Sequence, residues 1–94
     1  MYNLHIQNFL DFTSTTQKYR TVYFDPPFNS DKDYIMNEDD SLGFVDRWTN
    51  QAYEEFITKC IDKLYDLLEK DGTLFFHISA KCMYIPEKVI RSKF

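Results

Sequence analysis

Thr21-Val22-Tyr23-Phe24-Asp25-Pro26-Pro27-Phe28 is the stretch on which the fold turns. Its first half is a compact β-branched and aromatic run, the kind that packs well on a pleated, buried surface. Its second half ends that strand abruptly, because proline has no N–H to offer a ladder and fixes its own φ. The octapeptide therefore reads as a buried strand with a rigid exit loop. In open parallel sheets, functional residues gather just beyond the carboxyl ends of the strands, which is where Asp25 to Phe28 fall.

Downstream, Tyr53, Phe56, Ile57, Cys60, Ile61, Leu64, Leu67 and Leu68 recur at intervals of one and three, the stripe of an amphipathic helix. Asp71-Gly72 reads as the turn that ends it. Thr73-Leu74-Phe75-Phe76-His77-Ile78 follows as a strand apolar enough to be covered on both faces. Strand, helix, strand in that order implies a right-handed parallel crossover. Upstream, residues 2–6 read as another short strand, with Phe9, Leu10 and Phe12 on one or two helical turns and Ser14, Thr15 and Thr16 in a loop. Residues 29–40 carry Asp31, Asp33, Glu38, Asp39 and Asp40 against Lys32 alone and read as a solvated loop. Pro86 suits the first turn of a short last helix through Val89 and Ile90.

The totals narrow the class. A chain of 94 residues holds one small domain and no second. With 44% hydrophobic and 18% aromatic residues it is expected to fold around a real core. Fifteen acidic residues against eleven Lys and Arg give a net charge of −4, so the basic face of a free-standing DNA binder is missing. Without a charged leader, a long apolar run or a lipidation signal, the expectation is a soluble, cytoplasmic chain with no membrane partner. No metal site is expected. Cys60 and Cys82 are far apart in sequence, and the acidic run lacks the spacing and glycine of a calcium loop.

The exit loop has a chemistry of its own. The exocyclic nitrogen of a flat base is a poor nucleophile, because its lone pair is delocalised into the ring. The Asp25 carboxylate and the Pro26 carbonyl can accept hydrogen bonds from the two amino hydrogens, favouring a pyramidal nitrogen poised to attack an electrophilic methyl group. Pro26 and Pro27 hold those acceptors still. Phe28 can stack on a base swung out of a duplex, a contact worth roughly 1–3 kcal/mol. The plainer reading is an ordinary strand-ending turn, since Asp and Pro are common turn residues. Trp48 and Tyr53 read as core packing of a loop against the helix, and His77 as a hydrogen-bonded residue of an apolar strand.

Val22-Tyr23-Phe24-Asp25-Pro26-Pro27-Phe28-Asn29 resembles the catalytic segment of DNA methyltransferases that act on exocyclic amino groups. Phe44, Asp46 and Trp48 followed by Tyr53 resemble the aromatic spacer of the adenine-directed, circularly permuted (beta-type) branch, and the strand from Leu74 to Ser79 sits where that branch has one. The resemblance extends over residues 4–90, although only the Asp-Pro-Pro-Phe segment is specific enough to imply chemistry. Asp rather than Ser at position 25 points to adenine.

The resemblance implies an α/β fold, a partial Rossmann-like S-adenosylmethionine-dependent methyltransferase fold of about three parallel strands with flanking helices, forming a single partial catalytic domain over residues 1–94. The reaction is transfer of a methyl group from S-adenosylmethionine to the 6-amino group of adenine in DNA, in a restriction-modification setting. Asp25, Pro26, Pro27 and Phe28 are the catalytic residues. Asp25, with Asn8 where relatives carry an acidic residue near the adenosine, is the candidate cofactor contact. The chain departs from the family at that Asn8, and again because it has only Gly43 and Gly72 and so no Phe-x-Gly-x-Gly-like cofactor loop. In the permuted branch that loop lies downstream of the catalytic segment. The expectation is therefore a truncated or split product, inactive alone, acting on DNA through the complete protein, with self-association or a complementary half as its partner. The alternatives are a non-catalytic remnant or interaction module of the same fold, or methylation of the amino group of cytosine, of RNA or of a protein amide.

Overall fold

A computed structural model of the chain describes residues 4–13, 17–29, 32–35, 43–46 and 48–94. In chain order it contains β1 (Tyr19–Phe24), β2 (Lys32–Ile35), β3 (Gly43–Asp46), α1 (Asn50–Leu67), β4 (Leu68–Phe76) and α2 (Tyr84–Lys93), with 3-10 turns at Phe9–Asp11 and Ala80–Cys82. β1 and β4 pair in parallel, and β2 and β3 form a separate antiparallel pair.

α1 begins where Thr49, in extended conformation, accepts the Ala52 N–H on its hydroxyl at 3.1 Å, a side-chain N-cap. Its buried residues are Tyr53, Ile57, Cys60, Ile61, Leu64 and Leu67, the stripe expected from the sequence. That stripe, with Ile85 and Val89 of α2, forms the core, and Val22, Phe24, Leu74 and Phe76 pack against it from one face of the β1–β4 pair. Burying an Ile or Leu such as Ile57, Ile61 or Leu64 completely contributes about 1.5–3 kcal/mol each. Pro86 is buried in the first turn of α2, where its missing N–H costs no helical bond.

Four expectations change. Asp71-Gly72 does not end the helix. Leu68 already turns extended and its N–H closes on the Leu64 and Tyr65 carbonyls, while the Lys18 ammonium donates to the Asp66 carbonyl nearby. Leu68 then pairs with Tyr19, and Thr73 with Thr21, so residues 69–72 bulge opposite Arg20 alone. Gly72 sits at this bulge because a Cβ there would lie 3.0 Å from the Glu69 carbonyl oxygen and 3.1 Å from that of Arg20.

The second change concerns coverage. Side chains alternate across a strand, and the helices cover only one side, so Tyr23 is 66% and Phe75 55% exposed on the other. The apolar run of β4 is thus covered on one face in this chain, not both.

Third, Leu4 to Ile6 form no strand, leaving two parallel strands rather than three among the described residues. Apolar alternation supplies a face, but a strand also needs a neighbour for its backbone bonds. Residues 2 and 3 and the Ser14 to Thr16 loop lie outside the described residues.

Fourth, part of the acidic stretch is paired rather than looped. Lys32 stands opposite Asp46, Asp33 opposite Val45, Tyr34 opposite Phe44 and Ile35 opposite Gly43. Backbone N–H and C=O groups satisfied by a second strand outweigh the polarity on which the loop reading rested. Residues 36–40 lie outside the described residues.

Candidate functional site

The site stands at the carboxyl end of the parallel pair. Phe24 is level with Phe76, so the next residues, Asp25 and His77, emerge side by side. The His77 N–H donates to the Phe24 carbonyl at 2.9 Å and carries the ladder one step past both strands. The alternation of the strand continues into the loop. Asp25 is exposed on the outer side with Tyr23, and Pro26 is buried on the inner side with Phe24.

The loop is fastened at each end. Tyr53, from the first turn of α1, donates its hydroxyl to the Pro27 carbonyl at 2.6 Å. Asn29 takes a left-handed φ of 65°, a conformation Asn adopts more readily than most residues, and its Oδ1 accepts the Trp48 N–H at 3.2 Å. The Cys82 thiol makes a long contact of 3.8 Å to the Asn29 carbonyl. Trp48 itself stacks on Phe56 at 4.9 Å and meets Tyr53 edge to face at 5.7 Å, which is the core-packing role expected for this pair.

Asp25 Oδ1 lies 3.0 Å from Nδ1 of His77, and the two side chains are 55% and 53% exposed. The imidazole in turn meets the Phe28 ring edge to face at 5.3 Å and stacks at 6.3 Å on Tyr23. Of the residues expected at the site, the structure brings Asp25, Pro26, Pro27 and Phe28 into one rigid loop. Asn8 has a local task. It is the N-cap of the turn at Phe9–Asp11, with its Oδ1 accepting the Leu10 N–H at 2.9 Å, and the neighbouring Phe9 ring packs on Phe24 at 4.9 Å.

Two contacts at this loop escaped the sequence. His77 read as a hydrogen-bonded residue of an apolar strand whose partner the sequence does not name; it is half-exposed instead, and the parallel alignment of Phe24 with Phe76 sets it beside Asp25. The Tyr53 hydroxyl leaves no periodic signal, because its ring alone accounts for its place on the buried stripe.

A family model described as DNA methylase matches residues 19–94. The chain belongs to the DNA methylase family. No curated protein and no solved structure matches it. The family match opens at the first residue of β1 and takes in the whole Asp25 to Phe28 loop together with His77, whereas Asn8 falls outside it. The reaction of a DNA methylase is methylation of DNA, and the Asp25 to Phe28 loop lies within the matched region. Among the described residues no helix is long and apolar enough to cross a membrane.

Proposed function

We propose that Asp25, Pro26 and Phe28 activate and hold the 6-amino group of adenine in DNA for methylation. The observation that carries this is the exposed Asp25 carboxylate and the Phe28 ring, both in contact with His77, on a loop tied down by Tyr53, Trp48 and the strand ends. Asp25 and the Pro26 carbonyl accept the two amino hydrogens, which drives the nitrogen lone pair out of conjugation. Phe28 stacks on the flipped base. Pro27 contributes rigidity, its carbonyl being engaged by Tyr53 and so directed away from substrate.

S-adenosylmethionine supplies the electrophilic methyl group in this reading. Of the residues here, Asn8 and Asp25 are the ones offered to it. Asn8 Oδ1 is occupied by the Leu10 N–H, so its amide NH2 is the group left to meet a cofactor hydroxyl. With Gly43 and Gly72 as the only glycines, these 94 residues hold no glycine-rich cofactor loop, and this partial fit favours a second reading, a module that keeps the fold without the reaction. Calorimetric titration with S-adenosylmethionine separates the two, since stoichiometric binding supports the enzyme and its absence supports the module.

Asp25→Ala in the methyl-transfer assay of the complete protein tests the site directly. Turnover should fall by a factor of roughly 10²–10³, the cost of removing one group that stabilises developing charge. Unchanged turnover refutes the assignment. Digesting the methylated product to nucleosides shows whether the base is adenine.

A further inference from the structure

We infer that His77 is a positioning residue for Asp25: its Nδ1–H holds one carboxylate oxygen so that the other is presented to the amino group. This deepens the methylase reading of Asp25 and rests on it.

A half-exposed aspartate at a strand end has a broad, soft χ2, and water alone would leave its two oxygens interchangeable. Four contacts in the structure remove that freedom. The His77 backbone is pinned to the Phe24 carbonyl, which fixes where its side chain starts. Tyr23 on one side and the Phe28 edge on another restrict the imidazole plane. Nδ1 then sits 3.0 Å from Oδ1, hydrogen-bonding distance for an N–H donating to a carboxylate. Asp25 can only accept when ionised, so Nδ1 carries the hydrogen, and a neutral His77 is fixed as the Nδ1–H tautomer. The same imidazole touches Phe28, so one side chain aligns both the acceptor and the stacking ring. A displacement of the acceptor by about an ångström would cost on the order of 10²-fold in rate.

Nitrogen-15 spectra of the imidazoles in this chain, recorded where His77 is neutral, give a readout independent of activity. Nδ1 of His77 should be the protonated nitrogen, and Asp25→Ala should shift the proton toward Nε2. An unaltered tautomer in Asp25→Ala overturns the assignment. In the methyl-transfer assay of the complete protein, His77→Phe keeps a ring between Tyr23 and Phe28 but removes the donor, and should lower kcat roughly 10- to 100-fold with KM for DNA little changed. His77→Asn returns a donor at the same branch point and should recover most of the rate. Full kcat in His77→Phe, or His77→Asn as slow as His77→Phe, refutes positioning through that hydrogen bond. Full turnover in Asp25→Ala would instead refute the methylase reading, and the tautomer measurement would still decide the Asp25–His77 bond.

Discussion

Removing one oxygen atom from Tyr53 should weaken both the fold and the site loop. In Tyr53→Phe the ring, 0% exposed and central to the core, stays in place, but its 2.6 Å bond to the Pro27 carbonyl is lost. An intramolecular hydrogen bond contributes about 1 kcal/mol net, and a partly buried carbonyl left without its donor adds a desolvation cost, so the loss is about 1–2 kcal/mol. For 94 residues the unfolding entropy near the midpoint is roughly 0.2 kcal/mol/K, which converts that loss to a fall in Tm of about 5–10 °C. Thermal unfolding can be followed by circular dichroism and by the fluorescence of Trp48, the single tryptophan, which contacts Tyr53 and Asn29 at the same junction. A Tm within about a degree of the parent would show that the hydroxyl does not anchor the loop.

Three other outcomes are expected. Gly72→Ala should destabilise by about 1–2 kcal/mol, because its Cβ meets two backbone carbonyls of the β1–β4 bulge; an unchanged urea midpoint would mean the bulge relaxes freely. Burial pushes the Cys60 thiol up to about 11 from its ordinary 9.0, against the opposing pull of Lys63. A raised native pKa stabilises fully below the unfolded value and is lost as pH climbs through the native one. The stability advantage of the parent over Cys60→Ala should therefore shrink by roughly 2–3 kcal/mol across that alkaline window, and a constant difference would refute the burial. Finally, the outer face bearing Tyr23 and Phe75 should make the isolated chain bind a hydrophobic dye and scatter light as more than a monomer, whereas a monodisperse monomer that ignores the dye would show that this face is tolerated by water.

Much of this fold was legible where local chemistry and periodicity agree. Val22 to Phe24 followed by two prolines could only end a strand, and the α1 stripe from Tyr53 to Leu67 followed from a 3.6-residue period that no other element mimics. The exit loop was legible for the same reason, since Asp25 to Phe28 is contiguous. What failed was information held between distant segments. Leu4 to Ile6 alternate like a strand without pairing, Lys32 to Ile35 pair despite their charge, and Asp71-Gly72 resembles a helix stop yet lies in a bulge created by the register with β1. His77 belongs to the same class, because its contact with Asp25 is set by the strand beside it and not by its own neighbours in sequence.

The meeting of Asp25 with His77, 52 residues later in the chain, also sets an order of events when the protein is made. At about 5–20 residues per second, synthesis leaves the Asp-Pro-Pro-Phe loop waiting roughly 3–10 s before its histidine exists. For most of that interval, until Leu68 to Phe76 are made, β1 has no parallel neighbour and its backbone groups stand open, while α1, whose contacts are local, can already form. Closing so wide a chain loop is entropically costly and comes late, so the site should be among the last parts of the molecule to assemble and among the first to open when it unfolds.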